Sequence, residues 1–205
     1  MKKTNFLITI AMSIGLVLVS CNRQKSTKET TDEAVKLKDI EINLEESAVK
    51  WKGIMLGVYS HEGTLKLTQA ELIVDKGKLI GGSFTVDMKS ITPTDKNYDI
   101  EKGNTPERLV GHLSAADFFD ISNHQTAKFE IKKMEGNSAT GILTIRGISG
   151  EEKVENITVS KAEEKVKITG DLVFNRKKYN VSWDSPAKDM VLSEDVEVKV
   201  ELVSI

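Results

Sequence analysis

From Val49 onward, apolar and polar residues alternate with a period of two. The clearest run is at the C-terminus, where Val196, Val198, Val200 and Leu202 alternate with Glu197, Lys199 and Glu201. Successive side chains of a strand point to opposite faces, so this pattern predicts a strand with one dry face and one wet face. The pattern returns at Val166, Ile168, Leu172 and Phe174, with Gly170 in the apolar register. It also appears at Phe129 and Ile131, at Phe84, Val86 and Met88, and at Val49, Trp51 and Met55. Turn-forming residues separate these runs at Asp75-Lys76-Gly77, Gly81-Gly82, Glu135-Gly136-Asn137, Gly147 to Gly150 and Ala162-Glu163-Glu164. Spacing of this kind predicts about eight or nine strands. Alternation, rather than continuous apolar runs, argues against βαβ units and for an antiparallel meander around one interior, a barrel or a sandwich.

One segment breaks the period. Thr105-Pro106-Glu107 offers an N-cap, a proline at the first helical position and a first-turn acid, followed by Leu109, Val110 and Leu113. This predicts a short helix over about 106–113. The stretch from Thr92 to Asn104, with Pro93, Asp95, Asn97 and Gly103, reads as a long polar loop. Loop and helix together are placed to cover one mouth of a barrel.

The N-terminus follows a different logic. Lys2 and Lys3 precede a largely apolar run from Phe6 to Val19, which is shorter than the roughly 20 residues of a spanning helix and fits a secretory signal peptide over 1–20. Leu18-Val19-Ser20-Cys21 resembles the bacterial lipobox, which makes Cys21 the acylated first residue of the mature chain and its lipid anchor. Residues 21–34 carry no large apolar side chain and read as the lipidated N-terminus and a flexible tether. A folded domain over 35–205 is expected to follow, held at the bacterial cell envelope as a periplasmic or outer-membrane lipoprotein.

Composition narrows the chemistry. The 205 residues are 39% hydrophobic and 29% charged, enough for one core. Lys and Arg number 29 against 31 Asp and Glu, so nothing marks a nucleic-acid partner. A single cysteine excludes an internal disulfide framework and a cysteine-based zinc site. The three histidines, His61, His112 and His124, lack the spacing of a helical metal pair, and no metal or cofactor is expected. No nucleophile elbow, P-loop, dinucleotide-binding turn or His-Glu-X-X-His run occurs, and Asp117, Asp120, Asp184 and Asp189 have no spacing that implies an acid–base pair. The chain therefore reads as a non-enzyme. His61 shares strand parity with Tyr59, Leu65 and Leu67 and is expected on an inner face; His112 reads as a tie between helix and barrel, and His124 as a loop residue. Phe118 and Phe119 read first as core and second as pocket wall. Gly53, Gly63, Gly141, Gly147 and Gly170 fall in or near inward registers, where a missing side chain serves either a cavity or sharp coiling. An eight-stranded barrel is wide enough to be filled by side chains or to hold one small ligand.

Four blocks, in order, resemble the YceI-like family: Trp51-Lys52-Gly53 with His61-Glu62-Gly63; Gly111-His112-Leu113-Ser114-Ala115-Ala116-Asp117-Phe118-Phe119-Asp120; Gly141-Ile142-Leu143-Thr144-Ile145-Arg146-Gly147-Ile148; and Phe174-Asn175-Arg176 leading to Tyr179-Asn180-Val181. The resemblance spans about residues 46–205. Two positions depart from it, His124-Gln125 where the family often has Tyr-Pro and Asn180 where it has glycine. The resemblance implies an all-β, eight-stranded antiparallel, lipocalin-like barrel that binds an isoprenoid or other amphiphilic, fatty-chain lipid in the periplasm. The wall would comprise Trp51, Tyr59, Leu65, Phe84, Val86, Phe129, Leu143, Phe174 and Val198, with His61 near an opening to meet the head group. Partners are then the lipid ligand and the membrane reached through Cys21; the oligomeric state stays open, a dimer included. Two alternatives remain at this point: a filled-core interaction or stress module without ligand, and a pocket hydrolase or isomerase using His61.

Overall fold

The computed structural model describes residues 38–205 apart from 77, 163 and 186–189. The predicted signal peptide, Cys21 and the tether lie outside the described residues, as does Asp189.

Alternation from Val49 onward produces strands, and a short strand precedes them. They are β1 (Lys38–Glu41), β2 (Ala48–Met55), β3 (Tyr59–Asp75), β4 (Lys78–Pro93), β5 (Thr126–Glu135), β6 (Ser138–Ile145), β7 (Ile148–Ala162), β8 (Lys165–Asn175) and β9 (Leu192–Val203). Each consecutive pair from β2 to β9 is antiparallel, and β9 returns to β2 with Val198 opposite Trp51. This closes an eight-stranded antiparallel barrel. β1 stands outside the ring and pairs with the end of β3, Lys38 opposite Val74. It occupies the edge of β3 that β2 leaves beyond Leu65.

Between β4 and β5 lies the single α-helix of the described residues, α1 (Pro106–Ser114). The Thr105 side chain accepts from the Arg108 N–H at 3.2 Å, satisfying one of the free donors of the first turn. Leu113 is its buried residue.

Two turn signals mark something else. Gly81 and Gly82 lie inside β4, opposite Ile73 and Leu72. Gly82 has φ +136°, and a Cβ there would stand 2.2 Å from the Glu71 carbonyl oxygen. The pair lets a long strand curl against its neighbour, and a glycine pair gives the same signal in sequence as a turn. Gly150 likewise belongs to β7; the turn is Arg146-Gly147 alone, with φ of 52° and 72°, as a tight two-residue hairpin requires.

The two ends of the barrel differ. At one end β3–β4, β5–β6 and β7–β8 are joined by two residues each. At the other end lie the connection 94–125, the described residues of the connection between β8 and β9, the tip of the β2–β3 hairpin and the two-residue β6–β7 turn.

Candidate functional site

The long connections surround an opening into the barrel. Below it runs a tube of about 110 Å³, walled by apolar side chains apart from Lys128, Arg176 and Ser193. Trp51, Leu65, Phe84, Val86, Phe129, Leu143, Phe174 and Val198 all face it. Trp51, Phe84 and Val198 are inside the barrel yet only partly buried, as side chains bordering a void must be. A mostly apolar lining favours apolar guests over water.

Three glycines shape the tube differently. A Cβ at Gly63 would meet the Thr92 carbonyl oxygen at 2.2 Å and the Trp51 ring at 2.6 Å, and one at Gly141 would meet the Glu130 carbonyl oxygen and the Phe129 ring, each at 2.5 Å. These glycines seat aromatic rings. At Gly53, which lines the tube, an added Cβ would meet nothing within 4 Å. Phe129, only 1% exposed, stands 5.9 Å from Phe84 between ring centres. Both rings also border a void of only about 30 Å³ on the far side, among Leu72, Ala139, Val154, Ile168 and Leu202. The pair is the floor of the tube.

Arg176 is fully buried at the upper wall. Its Nε donates to Ser193 O at 2.9 Å, Nη1 to Val181 O at 2.7 Å and Nη2 to Asp184 Oδ1 at 3.2 Å. The guanidinium thus ties the 176–191 connection to the start of β9. Arg146 Nη1 donates to Asn180 O at 2.8 Å and to Phe118 O, linking this connection to the segment after α1. Asn180 has φ +57°, a left-handed conformation that asparagine tolerates.

Above the tube the mouth widens into a basin of about 790 Å³. Tyr59 and His61 lie here and not in the tube. β3 pairs with β4 only from Gly63 onward, so its first residues project past the ring and are covered by the loop after Pro93. Asp95 anchors that loop. Its side chain, 5% exposed, accepts from Glu62 N at 3.0 Å, Asn97 N at 2.8 Å, Tyr98 Oη at 3.2 Å and His61 Nδ1 at 3.1 Å. Burial alone would raise its pKa, but the backbone N–H groups of Asn97 and Glu62 together with His61 outweigh it and hold the carboxyl below its usual value. The Tyr98 ring stacks on His61 at 5.0 Å. Burial, then the Asp95 charge, push its hydroxyl up to about 12.

Two nitrogens at the throat stand apart. Trp51 Nε1 and His112 Nε2 are the buried side-chain polar atoms without a hydrogen-bond partner among the described residues. A buried group left so costs about 1–3 kcal/mol. His112 lies edge-on to Trp183 at 4.6 Å and to Phe118 at 5.2 Å. Burial lowers its pKa, against a smaller opposing effect of Asp117, so the ring is held neutral. Both residues border the basin, and Trp51 borders the tube as well.

A family profile for the YceI-like domain matches residues 41–204. This chain belongs to the YceI-like family. Burkholderia cenocepacia BcnA has the same fold, with a TM-score of 0.64 at 23% identity, covering 80% of this chain and 100% of BcnA. A polyisoprenoid binding domain from Saccharophagus degradans, implicated in plant cell wall breakdown, aligns with a TM-score of 0.50 at 12% identity, covering 82% and 98%. The UPF0312 protein SAB2563 of Staphylococcus aureus is 34% identical over 94 residues, 42% of this chain and 55% of that protein. The chain thus spans about half the length of that relative.

Within this YceI-like barrel several residues were not singled out as site residues from sequence. In the sequence Asp95 is one residue of a polar loop, and its role depends on a contact with β3 across the mouth. Trp183 is an isolated aromatic in a polar stretch, a signal that was available. Met88 and Leu192 face the tube and follow the same parity as residues that were named. Among the described residues no group of three metal-ligating side chains occurs. His124 lies in a loop, its Nε2 3.8 Å from Asp120.

Proposed function

We propose that this YceI-like protein is a carrier that binds one amphiphilic lipid, isoprenoid or fatty-chain, with the chain in the barrel and the head at the mouth. The observation that carries this reading is the apolar tube that ends against Phe84 and Phe129 and shares Trp51, Gly53 and Leu192 with the basin above it. Each methylene buried there contributes about 0.8 kcal/mol without directional contacts, so selectivity for the chain is loose. The tube takes the end of a long chain, and the remainder lies in the basin. Leu56, Val58 and Val191, each more than half exposed, border the mouth, and Leu56 N donates to Val191 O at 2.8 Å. They give the lip an apolar surface past which a chain enters. The Saccharophagus degradans polyisoprenoid binding domain, which shares the fold, supports the ligand class.

Acylation at Cys21 belongs to the same proposal. The lipobox-like Leu18-Val19-Ser20-Cys21 and the polar stretch after it would keep the carrier beside the envelope membrane from which such lipids come. Its role is sequestration or transfer without chemical turnover.

The test is native mass spectrometry of the full chain purified from envelope membranes in mild detergent, with organic extraction of what is released. A stoichiometric hydrophobic adduct of several hundred daltons, separate from the covalent acyl groups, is expected. An apo mass that persists after incubation with isoprenoid quinones and fatty amides contradicts the carrier reading and returns the barrel to an interaction module.

A further inference from the structure

Apolar side chains left on the surface are unevenly placed. Among the described residues, the large ones that stand exposed are Leu56, Val58, Tyr59, Ile100 and Val191 at the mouth, against Ile80 and Ile205 at the closed end and Val173 on the outer wall. The five at the mouth form an arc. Leu56 N donates to Val191 O at 2.8 Å, Tyr59 lies edge-on to His61, and the His61 ring stacks on Tyr98. Asn97 Nδ2 donates to Ser60 O at 2.7 Å, which brings the segment leading to Ile100 alongside the β2–β3 tip. Turn residues are ordinarily polar, yet Leu56 and Val58 flank Gly57, whose φ of +71° makes the tip. Val58 N donates to Met55 O at 3.1 Å, so the turn is closed by backbone and needs neither side chain.

Resting on the carrier reading, we propose that this arc is a membrane-docking surface, seated in the interfacial layer of the envelope bilayer with the mouth of the barrel facing the lipid. Charge selects the mode of contact. From Thr94 to Arg108 the cations Lys96, Lys102 and Arg108 stand against the carboxylates Asp95, Asp99, Glu101 and Glu107, and Lys102 is paired with Asp99 at 2.8 Å. This rim has no cationic excess with which to seek anionic head groups, so apolar area drives insertion and salt does not weaken it. A second copy of the chain fits the arc less well. Five side chains exposed to this degree present on the order of 400 Å², about half of what each partner in a stable dimer buries, whereas a bilayer demands no matching surface. The length of chain before β1 permits the posture. Lys38 pairs with Val74 at the closed end, and seventeen residue steps lead back from it to Cys21, the proposed anchor. They reach at most about 60 Å, against about 50 Å for β3 from Val74 to Tyr59. A much shorter connection would keep the closed end against the membrane and the mouth away from it. Docked by the arc, the barrel takes its cargo from the bilayer without passing it through water.

The test places the full chain, purified from envelope membranes, in phosphatidylcholine vesicles that contain a trace of phosphatidylcholine with a diazirine on its acyl chain. Irradiation and peptide mass spectrometry then map the lipid adducts. Adducts are expected at Leu56, Val58, Tyr59, Ile100 and Val191 and not at Ile80 or Ile205, unchanged by added salt or by phosphatidylglycerol. Leu56→Asp combined with Val58→Asp, both at exposed positions, should reduce them about tenfold, while Ile80→Asp leaves them as they were. Adducts spread over both ends, or gathered at the closed end, overturn docking by the mouth. An arc that stays unlabelled overturns it too, whether a second copy or water covers the five side chains. Labelling that requires phosphatidylglycerol and fades with salt overturns the apolar arc as its cause. Lipid extracted from the same chain before it enters the vesicles scores the carrier reading separately. Cargo in that extract with an unlabelled arc removes the docking surface alone; a labelled arc with no cargo upholds the docking surface and removes the carrier.

Discussion

The two ends of this barrel are made from the same alternating strands and do different work. At the far end, two-residue hairpins hold the strands close, and Leu72, Ala139, Val154, Ile168 and Leu202 leave a void of only about 30 Å³. At the mouth, two long connections spread the rim. The strands enclose an apolar tube of about 110 Å³ beneath a basin of about 790 Å³. The boundary is formed by Phe84 against Phe129, with Val200 bordering both voids. The far end supplies hydrophobic stability and needs little more than apolar residues of the right volume. The mouth holds what hydrophobicity does not specify: the buried Arg176, the Asp95 cluster and two unpaired nitrogens. Hollow space is thus a property of one half, set by which side chains meet across the interior and by where the connections are long.

The largest expected effect breaks the boundary itself. Phe129→Ala removes a ring that is 1% exposed and should cost about 3–5 kcal/mol in urea unfolding, while joining the two voids and lengthening the chain the barrel accepts. Next is the clamp at the upper wall. Arg176→Met leaves the Val181 and Ser193 carbonyls without their donor, an expected loss of about 2–4 kcal/mol by the same measurement.

Smaller effects follow pH. His112 has a pKa lowered by burial. Its contribution to stability is therefore complete above the unfolded value of 6.5 and is lost as pH falls toward the folded value. Melting temperatures recorded downward from pH 8 should fall, and less steeply in His112→Phe. A slope unchanged by that substitution would remove His112 from the account. Asp95 acts in a more acidic range. Its folded pKa lies below 3.8, so its contribution is present above that value and is lost as pH falls through the folded one. Asp95→Asn should cost about 1–2 kcal/mol at neutral pH, with an effect that shrinks in acid and a loop over His61 that exchanges its amide protons faster.

Much of this was legible in the sequence, and the limits are instructive. Strict alternation in β9 and β8 gives both the strands and their inward faces, because a closed antiparallel barrel has one interior to point at. The Thr105-Pro106-Glu107 signal gives α1 because helix starts are local. Gly81-Gly82 misleads because a curl and a turn make the same local demand. Tyr59 shares the parity of Leu65 but lies at the rim, since parity says which way a side chain points and not where the neighbouring strand ends. The Asp95–His61 contact joins residues 34 positions apart across a loop, and no local pattern encodes it. Nor does any pattern reveal that Trp51 and His112 end without partners, which depends on everything packed around them.

The smallest expected effect on stability is also the most direct test of the hollow half. At Gly53 an added Cβ meets nothing within 4 Å and the position faces the tube, so Gly53→Leu should change stability by less than about 1 kcal/mol while placing a side chain where the lipid chain would lie. The decisive measurement is the quantity of lipid released by organic extraction from equal amounts of the unaltered full chain and of Gly53→Leu, each confirmed folded by its melting transition. Stoichiometric lipid from the first and little from the second is the expected result. Equal lipid from both, or none from either, would contradict a carrier that holds its cargo in this tube.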